Sequence, residues 1–435
     1  MAMPACPRPH KSQMKNSTRT STVSGSDRAP LPAILAFAWI SSLGTGIATN
    51  GIYFLSKEHY HFSVSQNYWL GLLAGIMYII GALGAGPLIR RAQLLGISTR
   101  GVLIGVAVAL GLLCQVPILA ATGSGKPVSQ WPIWVLVSLY QPLTGILWPV
   151  AESFLSGGRS GAELRSALGR FNVTWSSALV IALCAMGPLE RYPTQLLAAL
   201  GLVHLASLLT VAFIGPEPGR HLPHEHEPHP PVYTRLLVTF RILLPMSYMV
   251  LTALTPYLPA ALTTLGIAAA WRPPASATWT AARLVTFFVV ERWHGWHGRW
   301  FPAVVGVVLL LGGFAAAVLA PLLGPGAPGV ALMLGGLAAF GVGMSTIYTA
   351  ALYYAMEVEK AEVEAGGMHE ALIGLGYTGG PACGLAGVGM VATQMVGEGA
   401  GPVVTLSMVG VIALAVVGGT AFRLSVAKRR GTLNP

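Results

Sequence analysis

The run WLGLLAGIMYIIGALGAGPLIRR, residues 69–91, decides how the rest of the chain is read. Its first 21 residues contain no Asp, Glu, Lys or Arg, and the pair Arg90–Arg91 closes it. A helix needs about 20 mostly apolar residues to cross the hydrocarbon layer of a bilayer. A soluble helix of that length would need a polar face, and this one has none. Its glycines, among them Gly71, Gly75 and Gly81, suit a helix whose neighbours approach closely in lipid.

The same pattern recurs along the 435 residues. Apolar stretches fall near 32–55, 69–89, 101–122, 132–155, 168–188, 194–214, 236–260, 274–290, 301–322, 329–356, 371–395 and 403–422. They predict an all-α polytopic membrane protein with about twelve spans. Composition agrees. Charged residues make up 9% of the chain, against roughly 25% in an average soluble protein, so there is too little charge to cover a water-exposed surface. Strands are excluded because a lipid-exposed sheet edge leaves backbone groups unpaired.

The charges test the count. With the N-terminus in the cytoplasm, the cytoplasmic segments hold 21 of the 26 Lys and Arg, the outer loops hold Lys57, Lys126, Arg191 and Arg272, and Arg283 lies within a span. That bias follows the positive-inside rule and places both ends in the cytoplasm of a plasma or inner membrane. It also accounts for the net charge of +11 without a nucleic-acid partner. Residues 1–29 lack the apolar core of a secretory signal and are expected to form a disordered tail. Residues 423–435 form a basic tail. Cys6, Cys114, Cys184 and Cys383 are scattered, with neither disulfide nor metal-site spacing.

A Pro- and His-rich segment at 215–235 divides the chain into halves at 30–214 and 236–422, each with six spans. Four prolines stand around His221, His224, His226 and His229, which excludes a helix there. The imidazoles could hold a transition metal, but their spacing follows no defined site, so no metal is assigned. The halves echo each other weakly. Leu147-Trp148-Pro149-Val150-Ala151-Glu152 leads through a charged loop to Arg170-Phe171-Asn172. Tyr353-Tyr354-Ala355-Met356-Glu357 leads through another to His369-Glu370.

After the second span comes Gly86-Pro87-Leu88-Ile89-Arg90-Arg91-Ala92-Gln93, and after the eighth come Glu291-Arg292-Trp293-His294-Gly295 and His297-Gly298-Arg299. With six plus six spans, cytoplasmic ends and a long central loop, the chain resembles the major facilitator superfamily. That family carries a Gly, an acid and basic residues in the loop after the second span. Gly86 and Arg91 match, Arg90 stands where the acid would be, and the later residues are missing. The resemblance implies a secondary carrier working by alternating access, with no cofactor.

A charge at the bilayer centre is costly and is by default a functional suspect. Arg283 lies midway along its span and could hold an anionic group; the alternative is structural pairing with a neighbouring helix. Tyr140 and Gln141 precede Pro142 in the fourth span and could bond a polar solute or only another helix. Asn50, Tyr53, Asn172, Trp175 and Tyr348 are further candidates for a solute path, although interfacial aromatics often serve as anchors. Glu152 and Glu370 are the candidate coupling residues, both expected near the cytoplasmic surface. His204, alone on an apolar helix, is expected to pack as a neutral imidazole. No Gly-Lys-Ser or Gly-Lys-Thr is present, which argues against ATP-driven pumping. The expected protein is a monomeric carrier whose partners are the lipid bilayer and a small solute, with an anion or zwitterion slightly favoured. A sensor or scaffold with a carrier-like fold, and a membrane-embedded enzyme, are the alternatives.

Overall fold

A computed structural model of the chain describes residues 28–120, 129–159, 161–219, 230–358, 363–397 and 399–429. The central histidines at 221–229, nearly all of the N-terminal tail and residues 430–435 of the C-terminal one lie outside them. Among the described residues the regular structure is helical throughout, in twelve long rods. The first half comprises α1 (Leu31–Tyr60), α2 (Val64–Leu94), α3 (Thr99–Ala120), α4 (Trp131–Ser156), α5 (Gly161–Leu189) and α6 (Pro193–Val211). The second comprises α7 (Pro231–Leu254), α8 (Arg272–Arg292), α9 (Phe301–Leu323), α10 (Ala327–Val358), α11 (Val363–Ala392) and α12 (Gly401–Arg429).

Eleven of these rods are long and apolar enough to span a bilayer. The exception is α8, expected as the eighth span. It has the length, at 21 residues, but Arg272, Thr280, Arg283, Thr286, Glu291 and Arg292 make it too polar. It is accommodated because α5 and α10 pack along it, burying Thr280 and Arg283 and leaving the apolar Val285, Phe288 and Val289 to face outward.

The helix α2 shows how the sequence selects its neighbours. Trp69, Ile76, Ile80 and Leu83 recur at helical spacing and are 43–56% exposed, forming a stripe for lipid. Tyr68, Gly71, Gly75, Tyr78 and Ala82 form the buried stripe, which faces α11. A Ser63–Gln66 capping box fixes where this helix starts.

The predicted span at 236–260 is shorter than expected. The ring of Pro256 disfavours the preceding turn, and although α7 runs on through Pro245, it stops at Leu254 and a short helix, Leu258–Thr264, follows. At its other end α7 begins inside the expected linker, with Pro231 in its first turn, where the missing N–H costs nothing.

Within each half the helices pack on one another, and α2–α11, α4–α11 and α5–α8 join the halves. The even number of rods puts both chain ends on one face, here the terminal face; the other is the far face. The joints need small residues. A Cβ on Gly75 would stand 2.6 Å from the Tyr377 carbonyl carbon, closer than real Cβ atoms come. On the far face a Cβ on Gly187 would stand 2.2 Å from the Ala270 carbonyl oxygen. Gly75→Val should therefore wedge α2 from α11 and cost about 1–3 kcal/mol, as overpacking does. A melt of the detergent-purified protein checks this; an unchanged midpoint would show that the helices are not held so tightly.

Candidate functional site

A cavity of about 100 Å³ opens where the two halves meet. Arg283, on α8, enters it from the middle of its helix. Its side chain is buried, with the residue 2% exposed. It has no ion-pair partner among the described residues. Aromatic rings take the place of a carboxylate. The guanidinium carbon lies 4.4 Å from the Trp175 ring centre, 4.8 Å from Tyr348 and 5.2 Å from Phe287. One terminal nitrogen donates to the Tyr248 hydroxyl at 3.3 Å. The arginine's Nε finds no partner.

Burying an Arg at the bilayer centre costs at least about 2.5–3.5 kcal/mol, and each ring facing a desolvated cation recovers about 0.5–2 kcal/mol. The terms are of similar size. The cage therefore holds the cation without saturating its donors, and an acceptor arriving in the cavity would find one free.

Two carboxyl groups line the same cavity, Glu152 from α4 and Glu370 from α11. Each residue is 5% exposed. Both were expected near the membrane surface. Glu152 stands one turn before the end of α4 and Glu370 two turns after the start of α11. The Tyr78 hydroxyl donates to Glu370 Oε2, tying α2 to α11. The Oε2 of Glu152 has no partner. With both acids ionised the three groups carry one net negative charge; one bound proton makes the set neutral.

The wall of the first half includes Thr45, Thr49 and Asn50. The last two stand in a wide π-helical turn, Ile47–Gly51. Such single turns insert an extra residue and re-aim the neighbouring side chains. Thr49 donates to the Thr45 carbonyl, and Asn50 donates to the Thr49 hydroxyl at 3.2 Å.

Of the residues singled out from the sequence, Arg283, Trp175, Tyr348, Asn50, Glu152 and Glu370 line this one cavity. The structure does not bring Tyr140, Gln141, Tyr53 or Asn172 to it. Tyr140 turns into the first half, where its hydroxyl and His204 Nε2 are 2.7 Å apart; the buried His204 thus packs with a hydrogen bond, as its setting suggested. Gln141 is 3% exposed with Oε1 unpartnered. Asn172 lines a second cavity. Sequence reasoning missed Tyr78, Tyr248, Phe287 and Tyr377. The signal for two of them was present: Tyr78 and Tyr377 are large hydroxyl-bearing rings set among glycines in α2 and α11.

The second cavity, about 330 Å³, lies on the terminal face between the start of α5, the end of α8 and the last third of α10. Asn172, Phe287, His294, His297 and Tyr353 are among its walls. The His297 ring stacks on Tyr353 at 4.2 Å. Burial, with His294 and Arg165 nearby, pushes this imidazole down to about 4, so it is neutral at pH 7.

The far face is closed by polar contacts across the seam. Arg272 at the start of α8 is paired with Glu58 at the end of α1, and the Tyr68 hydroxyl of α2 donates to the Ala253 carbonyl of α7 at 3.1 Å. Each joins one half to the other.

This arrangement of helices matches solved structures. The crystal structure of nucleoside transporter NupG superposes with a TM-score of 0.55 at 12% identity, covering 90% of this chain and 98% of that one. A point mutant of the same transporter gives a TM-score of 0.59 at 12% identity, covering 89% and 99%. The chain has the fold of a solved nucleoside transporter. At that identity the likeness is one of fold alone. No protein-family profile matches the sequence, and no curated protein does.

Proposed function

We propose that this chain is a secondary carrier of the major facilitator type, moving a small polar solute between two six-helix halves by alternating access. The observation that carries the reading is the buried, unpaired Arg283 facing two buried carboxyl groups in a cavity at the seam of the halves. A charge set so costly to bury, placed where rocking of the halves would expose it to either side in turn, is the chemistry of a solute site. The fold likeness and the partial Gly86–Gln93 motif support the family. The charge bias supports cytoplasmic ends in a cell membrane, and a site complete within one chain supports a monomer.

The solute needs an acceptor for Arg283 Nε, a donor for Glu152 Oε2 and a surface that packs against rings. A nucleoside meets all three, with base carbonyls or ring nitrogens, ribose hydroxyls and a planar face; a nucleoside is also the named solute of NupG, whose fold this chain shares. A zwitterion with an aromatic group is the second candidate, favoured by the opposite charges in the cavity. The cavity, about 100 Å³, is smaller than the roughly 300 Å³ at which small-molecule pockets begin, so the structure corresponds to a nearly closed state whose walls part to admit a solute.

Counterflow in proteoliposomes tests this. Vesicles loaded with unlabelled uridine, adenosine or tryptophan are expected to take up trace labelled solute of one class faster than empty vesicles. A chain that binds such a solute in a thermal-shift assay yet moves none would instead be a sensor with a carrier fold.

A further inference from the structure

The two cavities are separated by one layer of side chains. Phe287 lines the second cavity, and its ring centre is 5.7 Å from that of Trp175 and 5.8 Å from that of Tyr348, both of which line the first. Trp175 and Tyr348 are 5.9 Å apart, closing a triangle of rings. The Trp175 indole N–H donates to the Asn172 side chain at 3.1 Å, so that pair also has one member in each cavity. Tyr348 and Thr349, adjacent on α10, face the first and second cavities respectively.

The triangle spans the seam. Trp175 belongs to the first half; Phe287 and Tyr348 belong to the second. All three rings lie within 5.2 Å of the Arg283 guanidinium carbon. The far face has a cavity of its own at the seam, about 330 Å³ and lined by Tyr68, Tyr257 and Val388 among others, and none of its residues lines the central cavity. There the seam is shut by an ion pair, a hydroxyl-to-backbone hydrogen bond and glycine-to-backbone contacts. Side chains of the triangle can swing on the timescale of rotamer changes, whereas the far seal parts only if whole helices move. On the terminal face α2 and α11 stay in close contact as far as Gly367 and the Ala82 carbonyl. The open corner is therefore the one between α5, α8 and α10.

We propose that Trp175, Phe287 and Tyr348 form a gate between two consecutive stations of one solute path, and that Arg283 is its latch. This rests on the carrier reading for its purpose but not for its geometry. An acceptor group that engages the Arg283 guanidinium draws its charge away from the rings and weakens the attraction holding them across the seam. Solute binding and release of the gate are thereby coupled through one side chain. The vestibule beyond, with neutral His297 stacked on Tyr353, the Asn172 amide, and Arg165 and Glu291 as one charge of each sign in its walls, offers ring surface and hydrogen bonds to a solute on its way out.

Thiol accessibility tests the gate without any solute. In a variant whose native cysteines are replaced, Thr144→Cys puts a thiol in the central cavity, and a membrane-impermeant maleimide is added to one face at a time. Removing the central ring with Phe287→Ala is expected to raise the labelling rate from the terminal face by about tenfold or more, as when a closed state open a few per cent of the time becomes mostly open. The rate from the far face should stay unchanged. Arg283→Gln should raise the terminal-face rate in the same direction. Phe288→Ala, one residue along and facing outward, should leave it alone; Phe287→Leu replaces the alanine variant if that does not fold. Unchanged labelling in the Phe287 and Arg283 variants, or an equal rise from both faces, would overturn the gate. Failure of every counterflow assay alongside the expected labelling would overturn the carrier reading and leave the gate standing.

Discussion

Arg283→Ala is expected to reduce solute counterflow about 100-fold while the protein still folds. The loss follows from one charge-assisted contact to the solute, worth about 1.5–3 kcal/mol, and 1.36 kcal/mol is tenfold in rate. Folding should survive because no carboxylate among the described residues is within ion-pair distance of the arginine, and Glu152 or Glu370 can offset the lost charge by taking up a proton. Its removal takes away the cost of burying an unpaired cation, leaves a cavity, and deprives the Tyr248 hydroxyl of a single long hydrogen bond. Arg283→Lys should recover little. A lysine keeps the charge, but it has neither the planar face that stacks on Trp175 nor a second donor in fixed geometry. Counterflow and a melt on the same preparations decide the matter: normal counterflow by the alanine variant would remove Arg283 from the site, and an unfolded protein would make it a structural residue.

Glu152→Gln carries the second large effect. The glutamine keeps the volume and an acceptor but cannot exchange a proton. If Glu152 couples transport to a proton gradient, gradient-driven accumulation should fall by about tenfold or more, the scale on which removing a charge-assisted interaction acts, while counterflow without a gradient persists. Glu370→Gln should be milder. The glutamine carbonyl can still accept the Tyr78 hydroxyl, so the tie between α2 and α11 remains. An equal loss of both activities in Glu152→Gln would make the side chain a solute contact and not a coupling group. No loss in either would remove it from the mechanism.

Much of the fold was legible because lipid imposes a simple demand. Each span must be long, apolar and internally hydrogen-bonded, and that demand is written into runs such as residues 69–89. α8 marks where the demand relaxes. Its stretch at 274–290 reads as a span, yet Arg283 and its threonines make it too polar for lipid, and they are tolerated by burial against α5 and α10, which no local pattern reveals. The end of α7 is hard to place from sequence because apolar residues continue past it, although Pro256 marks the break.

The site was legible only where a residue was conspicuous by cost. Arg283, Glu152 and Glu370 stand out as charges in or beside apolar runs, and all three line one cavity. Tyr140 and Gln141 were equally mid-span, yet the rotation of α4 turns Tyr140 towards His204 and leaves both outside the cavity. Phe287 was invisible, being an ordinary aromatic among apolar neighbours until its helix is docked.

The sequence by itself thus determined that this is a helical membrane protein, about how many times it crosses, and which charges are too expensive to be idle, because hydropathy and charge act residue by residue. Only the tertiary structure decided which of those charges meet, and that Arg283 is caged by rings with no ion-pair partner among the described residues. Those outcomes depend on how α5, α8 and α10 are rotated and where glycines let α2 approach α11, and such relations between distant segments have no local signature in a single chain.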